Sequence, residues 1–444
     1  MLVNMIPESL SAELEQNSGP VLAVHPDGQL MVSGWYGSNI PAGGTHAPLF
    51  VSKDGGWSWK ANYVASATRF GDQSYSFSGS KLKLYGVVGG GSDHLVSVMA
   101  TEDPRTTEPL KLISILSAGQ TSADQPFILA RTFDQDRIYV GQNYLGGELG
   151  GQTASVRVST DGGATFRLWG LETRSTVGQD APSVQPAVAK DGTLYVAFIS
   201  WKSRSDSYGN FIGDIVVCRD DEGAKAASGS TPFRALRDQS DNKPGRIVMS
   251  GRTFPWGDEF GQQRIGSYLA IAVDPNRSTR VFLAWADQTD NIYAIHLRKS
   301  EDAGQSWSGD LRTIPSAVNP AVAIAEDGGV GFLYQQLVDA SKTWDTHLET
   351  SYDGATFGSN LLLNTFPAES LRLQFQPYLA DRGFIAAVGN DFYGVFAASN
   401  DPNPSRFPQG VRFQRRHRFG KLLGNDGVTA EAISIDPYFF HLKR

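Results

Sequence analysis

Acidic and aromatic side chains recur in the short polar stretches that join apolar, strand-like runs of this sequence. Asp258 and Glu259 lie beside Trp256 in one such stretch, and paired carboxylates can act as general acid and base or hold a cation. An ordinary acidic turn is the alternative interpretation of this pair. Corresponding stretches provide three further candidates for catalysis, which are Asp124, Tyr268 and Asp287.

Aromatic and guanidinium groups in the same stretches predict a ligand site. Aromatic rings stack on the C–H faces of sugars, and guanidinium groups hold hydroxyls or carboxylates. Packing between sheets is the alternative for the tryptophans that end a strand, such as Trp35. The candidates for substrate binding are Trp35, Tyr36, Arg69, Tyr144, Trp201, Arg204, Trp256, Arg264, Arg372 and Gln376. They predict a glycan or another small molecule as the ligand.

Other chemistries find little support in the sequence. It contains no His-Glu-x-x-His motif, no phosphate-binding loop, no Gly-x-Ser-x-Gly elbow and no cysteine pair for zinc. We therefore expect no cofactor and no metal centre, although the Asp-rich turns leave a bound Ca²⁺ open. His94 and His347 lie near the candidate loops and leave polysaccharide lyase chemistry open. Cys218, the one cysteine, excludes an intrachain disulfide and is interpreted as a small buried hydrophobe.

Charge and hydropathy limit the partners that the chain can have. The formal net charge of −7 argues against a broad nucleic-acid-binding surface. No apolar run approaches the roughly 18 residues that a membrane span needs. Residues 1–17 lack the pattern of a signal peptide, so we expect a cytoplasmic protein, or an exported one whose leader is missing. Protein partners remain open.

An internal repeat predicts the fold. An apolar strand, a turn with Asp or Gly and a second apolar strand recur, with copies that begin at Pro20, Tyr75, Gln125, Gln185, Tyr268, Asn319 and Gln376. Each copy predicts a hairpin, and a spacing of about 50 residues or more is that of a propeller blade. The sequence therefore predicts a single all-β domain over 1–444, a β-propeller of four-stranded blades. Seven blades are predicted, with six as the alternative, and an inserted loop at about 220–263.

A second motif, a polar turn, follows several of the hairpins. It occupies residues 52–59, 159–166, 300–307 and, one residue shorter, 351–357. The aspartate in each turn can accept backbone N–H groups, glycine supplies positive φ, and the closing aromatic residue packs between sheets. These aspartates are Asp54, Asp161, Asp302 and Asp353.

This turn resembles the Asp-box, or BNR repeat, of the sialidase superfamily. The resemblance implies a sialidase-like β-propeller whose boxes are structural and lie on the face opposite to the ligand. It also implies that the ligand site is the mouth of the central channel, lined by the loops that enter each first strand or join the second and third strands. Sialidases carry an Arg-Ile-Pro motif near the N-terminus, and this chain has Met5-Ile6-Pro7 instead.

Three functional hypotheses follow, and whether the protein is an enzyme stays open. The first is a glycan-directed, sialidase-like protein that hydrolyses glycosidic bonds at the channel mouth. The alternative is a non-catalytic propeller that serves as a lectin, an adhesion module or an assembly scaffold. The third is a propeller-type polysaccharide lyase. The sequence also predicts that the N-terminal segment or residues 428–435 complete the last sheet.

Overall fold

A computed structural model describes residues 1–14, 16–17, 19–35, 47–65, 72–79, 81–90, 95–107, 110–117, 123–144, 153–177, 184–204, 210–225, 231–255, 269–338, 342–368, 379 and 382–444. Within these ranges the regular structure is β, apart from the short 3-10 turns Glu8–Leu10 and Pro404–Arg406. The all-β prediction is confirmed. No helix in the described residues is long and apolar enough to cross a membrane.

Antiparallel four-stranded sheets follow one another along the chain after β1 (Leu2–Asn4), which joins the last sheet. The first sheet contains β2 (Val21–Val24), β3 (Met31–Gly34), β4 (Ala47–Ser52) and β5 (Lys60–Ala65). The second contains β6 (Gln73–Phe77), β7 (Leu84–Gly90), β8 (Leu95–Thr101) and β9 (Lys111–Ser117). The third contains β10 (Ala123–Thr132), β11 (Asp136–Tyr144), β12 (Thr153–Ser159) and β13 (Arg167–Gly170).

The next two sheets are joined through one pair of residues, Thr253 and Gln288. One contains β14 (Gln185–Val188), β15 (Leu194–Arg204), β16 (Phe211–Asp220) and β17 (Arg246–Phe254). The other contains β18 (Leu269–Asp274), β19 (Arg277–Thr289), β20 (Ile292–Ser300) and β21 (Arg312–Pro315). A further sheet contains β22 (Ala317–Ile324), β23 (Val330–Val338), β24 (Thr343–Ser351) and β25 (Ser359–Pro367).

The last sheet combines both ends of the chain. Its strands are β26 (Phe384–Val388), β27 (Asp391–Ser399), β28 (Arg412–Phe413) and β31 (Ile435–Leu442), and a separate small hairpin is formed by β29 (His417–Arg418) and β30 (Lys421–Leu422). β31 lies antiparallel between β27 and β1. The prediction that a terminus completes a sheet is confirmed, and here both do so.

The C-terminal strand begins later than the sequence pattern predicts. Residues 428–434 are not a strand, because the Asp426 carboxylate accepts the backbone N–H groups of Val428 and Thr429 at 2.9 Å and holds a turn there. The paired strand is Ile435–Leu442, whose first six residues are buried. Alternation alone did not distinguish the exposed turn from the buried strand that follows it.

The repeated hairpins pack through their first strands. β2 contacts β6, and the same kind of contact links β6 to β10, β10 to β14, β14 to β18, β18 to β22, β22 to β26, and β26 back to β2. These strands enclose a cavity of about 120 Å³ whose lining includes Ser74, Phe127, Gln185, Ile271, Val322 and Phe384. The first strands therefore surround a narrow central channel.

The polar turns have the hydrogen bonds that the sequence predicts. The Asp302 carboxylate accepts the Ser300 hydroxyl at 2.8 Å, the Ser306 N–H at 2.9 Å and the Ser306 hydroxyl at 2.5 Å. Gly304, at φ +83°, donates its N–H to the Ser300 hydroxyl oxygen at 2.8 Å. Asp54 and Asp161 repeat this pattern, and Asp353 accepts two backbone N–H groups in its shorter turn. Each aspartate therefore stabilises its own turn.

Replacing Asp302 by alanine is expected to lower the free energy of unfolding by about 2 kcal/mol, because the Ser300 and Ser306 donors lose their acceptor. Urea unfolding measures the loss. The control variant Asp302→Asn keeps one acceptor oxygen and should recover part of the stability. Equal stability of the alanine variant and the unaltered protein would contradict the structural role of this turn.

The inserted loop predicted at about 220–263 is partly regular structure. β17 lies inside it and is the fourth strand of its sheet, paired with β16. The Asp238 carboxylate stabilises the turn before this strand by accepting the N–H groups of Ser240 at 2.8 Å and Ile247 at 2.9 Å.

Cys218, in the neighbouring strand β16, is fully buried, and burial raises the pKa of its thiol to about 12. The interpretation of Cys218 as a small buried hydrophobe is confirmed.

Candidate functional site

Most of the predicted mouth residues lie outside the described part of the chain. These are Tyr36, Arg69, Trp256, Asp258, Glu259, Arg264, Tyr268, Arg372 and Gln376. Asp124, Tyr144 and Arg204 belong to β10, β11 and β15, where the backbone pairing is described but the side chains are not. The structure therefore places the side chains of three candidates: Trp35, Trp201 and Asp287.

Trp35 and Trp201 are core residues rather than ligand platforms. Trp35 is 0 % exposed and stacks on Phe50 with the ring centroids 3.6 Å apart. Trp201 is 2 % exposed and stacks on Phe211 at the same distance. Each ring uses its surface for packing within its sheet, so their surroundings do not support the predicted role in substrate binding. These surroundings favour the alternative interpretation, in which the tryptophans are packing residues.

Asp287 lies in a buried network between β17, β19 and β20. Its carboxylate accepts the indole N–H of Trp285 at 2.7 Å and lies 3.0 Å from the Arg252 guanidinium and 3.3 Å from His296 Nε2. The residue is 0 % exposed. In the described structure this carboxylate binds protein groups, so the sequence-based assignment of Asp287 as a catalytic group is not supported by its surroundings.

His296 connects Asp287 to a second carboxylate. Its Nδ1 lies 2.8 Å from Asp310, which also accepts the Arg298 Nε–H at 2.6 Å. Burial alone would lower the pKa of His296, but hydrogen bonds to Asp287 and Asp310 outweigh it and raise the pKa to about 9. Burial likewise favours the neutral form of Asp310, yet His296 and Arg298 hold the pKa of that carboxyl well below its usual value. The imidazole is therefore positively charged at neutral pH.

The described polar group at the channel mouth is a buried ion pair. Arg382 and Asp72 precede β26 and β6, and a guanidinium nitrogen lies 2.9 Å from the Asp72 carboxylate. The side chains are 4 % and 12 % exposed. The guanidinium carbon lies 5.4 Å from the centre of the Phe127 ring in β10, a strand that lines the channel. The ion pair and the Phe127 ring therefore bring together three of the strands that surround the channel, near the ends at which β6 and β26 begin.

Sequence reasoning placed Arg372 and Gln376 at this entrance but missed Arg382. The available signal was position, because Arg382 lies two residues before β26 much as Asp72 lies one residue before β6. The two partners are 310 positions apart in the sequence, and no sequence pattern joins them. Only closure of the first strands around one axis brings them together.

A second polar group near the same end has no side-chain hydrogen-bond partner among the described residues. Gln142 is 0 % exposed in the upper part of β11, and neither its amide nitrogen nor its amide oxygen has a hydrogen-bond partner in the described structure. Buried amides are nearly always paired. Gln142 is therefore a candidate for contact with a ligand at the mouth. No group of three or more His, Cys, Asp or Glu side chains in the described ranges is placed to hold a metal ion.

Comparisons with known proteins reveal similarity of structure and none of sequence. Neither a family model nor a curated protein matches the sequence. A polysaccharide lyase of family PL25, an ulvan lyase, superposes with a TM-score of 0.55 at 10% identity, over 87% of this chain and 92% of its own. The same lyase bound to -[GlcA(1-4)Rha3S]- gives a TM-score of 0.54 at 10% identity and the same coverage.

The third comparison is with the GH93 α-L-arabinofuranosidase of Fusarium graminearum in complex with arabinobiose. It superposes with a TM-score of 0.50 at 10% identity, over 76% of this chain and 93% of its own. Both enzymes are β-propellers. At such low identity the likeness shows the fold alone. This chain is all-β and is built from four-stranded sheets, as these propellers are.

Proposed function

We propose that this protein is a seven-bladed, sialidase-like β-propeller that acts on glycans at the mouth of its central channel. Seven hairpins whose first strands contact one another in a cycle support the blade number. The turns at Asp54, Asp161, Asp302 and Asp353 support the relation to Asp-box propellers. The proposed action on glycans requires, in addition, side chains at the channel mouth that can bind a sugar.

The observation that carries it is the Arg382–Asp72 pair. Its guanidinium lies at the end of the channel where the first strands β6 and β26 begin. A planar guanidinium binds a carboxylate or two neighbouring hydroxyls through parallel hydrogen bonds, and low solvent exposure strengthens such bonds. We take an acidic sugar as the ligand class, whose carboxylate would share the Arg382 cation with Asp72, which already pairs with it.

Both structural neighbours support a carbohydrate as the ligand, and one of them supports an acidic carbohydrate. The lyase binds a saccharide that contains GlcA, and the arabinofuranosidase binds arabinobiose. Both are carbohydrate-active enzymes built on propellers, which makes hydrolysis and lyase elimination the two reactions to test. Either reaction needs acid–base groups, and Asp258, Glu259 and Asp124 are the sequence-derived candidates.

Incubation with soluble acidic and neutral polysaccharides, followed by mass spectrometry, tests the reaction. Hydrolysis adds one water to the products, whereas elimination yields an unsaturated uronate that absorbs ultraviolet light. The double variant Asp258→Asn/Glu259→Gln is expected to cleave at least about 100-fold more slowly while still binding, because it removes acid–base groups and retains their shape. Binding without cleavage by the unaltered protein would favour a lectin, and absence of binding would exclude glycan-directed function.

Substitution of Arg382 by lysine tests the location of the site. The charge next to Asp72 is kept, so the fold should survive, but the two parallel donors are lost and the affinity for an acidic glycan is expected to fall about tenfold. Arg280→Lys is the matched control, because Arg280 is 8 % exposed, pairs with Asp274 at 3.3 Å and lies at the opposite end of its sheet. Equal affinity of the two variants would place the ligand elsewhere.

A further inference from the structure

A second candidate binding site lies where the two ends of the chain meet the first sheet. Residues 7–9, 58–61 and 412–414 form the walls of an open groove of about 740 Å³, together with Arg416 and Asn425. Clefts that hold small ligands or segments of a polymer commonly enclose roughly 300–1,000 Å³. The groove lies against the outer strand β5 and β28, away from the first strands that line the channel.

The groove is basic in a protein whose formal net charge is −7. Lys60 and Arg412 are exposed, and neither forms an ion pair with a carboxylate in the described part of the chain. Arg416 also lines the groove and is partly neutralised by Glu8, whose carboxylate lies 3.0 Å from its Nε. Arg418 and Lys421, both exposed, continue the positive surface along the hairpin β29–β30. This surface is therefore positively charged although the protein as a whole carries a negative net charge.

An exposed aromatic ring stands at the edge of the groove. Trp57 precedes the wall residue Ser58, is 52 % exposed, and has the guanidinium carbon of Arg412 at 5.7 Å from its ring centre. A ring beside a guanidinium offers stacking to a sugar face and an ionic contact to its acidic substituent.

The walls of the groove are fixed before any ligand arrives. The Gln414 side chain bridges two of them, since it accepts the Trp59 N–H at 2.7 Å and donates to the Asn4 carbonyl at 3.1 Å. The next residue, Arg415, is fully buried and pairs with Asp436 at 2.9 Å. A preformed groove saves the ordering entropy that a flexible one would lose on binding.

From this arrangement we propose that the groove binds a chain of acidic sugars at a site separate from the channel mouth. Uronate or sulfate groups contact Lys60 and Arg412, and the Trp57 ring stacks on a neighbouring sugar face. The site has no carboxylate pair suited to cleavage among its lining residues, so it holds the polymer without breaking it. This inference does not depend on the function proposed for the mouth.

Isothermal titration calorimetry of the full chain with an oligogalacturonide tests the site. The double variant Lys60→Gln/Arg412→Gln is expected to bind about tenfold more weakly, because two exposed ionic contacts are lost. The control is Lys111→Gln/Arg167→Gln, which removes the same charge from the corresponding outer strands β9 and β13. An equal loss in both double variants, or no loss in either, would overturn the proposal.

A second pair of variants examines the aromatic contact. Trp57→Ala should weaken binding severalfold, whereas Tyr352→Ala should not, although Tyr352 is 79 % exposed and also lies beside an arginine, Arg444. Arg382→Lys at the mouth should leave this binding event unchanged, which separates the two sites. The exposed Phe419 on the hairpin β29–β30 allows a membrane surface to be tested as the alternative ligand. Tighter binding to phosphatidylserine vesicles than to the oligosaccharide would overturn the proposal, provided that Phe419→Ser abolishes the binding to vesicles.

Discussion

Replacing Arg415 by leucine is expected to lower the free energy of unfolding by about 3–5 kcal/mol, which is among the largest effects of a single substitution in this protein. The Arg415 side chain is fully buried and pairs with Asp436, itself fully buried, at 2.9 Å. It also donates to the carbonyls of Ser11 at 2.6 Å and Glu13 at 2.7 Å. The substitution removes four hydrogen bonds and leaves a buried carboxylate without its counter-ion.

The effect should be large because this pair joins the two ends of the chain. Asp436 is the second residue of the buried strand β31 and also accepts the side-chain amides of Asn4 at 2.8 Å and Asn400 at 3.0 Å. Loss of Arg415 therefore weakens the contact between the N-terminal segment and the last sheet, and with it closure of the ring of sheets.

Guanidinium chloride unfolding, followed by tryptophan fluorescence, measures this loss. Arg416→Leu is the control, because Arg416 is adjacent in sequence but 40 % exposed, and its pair with Glu8 should contribute at most about 1 kcal/mol. Similar stabilities of the two variants would show that the buried pair does not hold the ends together.

The fold could be predicted from sequence because its signal is local and repeated. Six predicted hairpins are present, from β2–β3 to β22–β23, since strand alternation and turn residues are properties of about 15 neighbouring residues. The copy predicted from Gln376 is displaced by one strand, because its predicted second strand is β26, the first strand of the observed hairpin β26–β27. The polar turns were predictable for the same reason: the donors and the acceptor of the Asp302 turn all lie within residues 300–306.

The candidate site was less predictable because its contacts are long-range. Trp35 and Asp287 have the residue types of a sugar site, but burial depends on which sheet packs beside them, and burial made one a core ring and the other part of an ionic network. Arg382 and Asp72 meet across 310 residues of sequence. Residue type indicates what a side chain is capable of, whereas sheet packing decides whether a ligand can reach it.

The network around His296 predicts that the protein loses stability as the pH rises from about 6.5 to about 9. The pKa of His296 is raised from 6.5 to about 9 in the folded protein. Below pH 6.5 the imidazole is protonated in both folded and unfolded chains, and its stabilising contribution is complete. Between the two values the unfolded chain releases the proton while the folded chain retains it, so the free energy of unfolding falls by about 3 kcal/mol.

Two histidine variants separate the contribution of His296 to the pH dependence of stability from that of the other titrating groups. His296→Gln cannot be charged, so its stability should change less than that of the unaltered protein between pH 6.5 and 9. His417→Gln, which alters an exposed histidine on β29, is expected to retain the full decline. Urea unfolding at half-unit pH intervals gives the three curves. Parallel curves for all three proteins would mean that His296 does not carry a proton between Asp287 and Asp310, and that the cation which neutralises these carboxylates is Arg252 or Arg298.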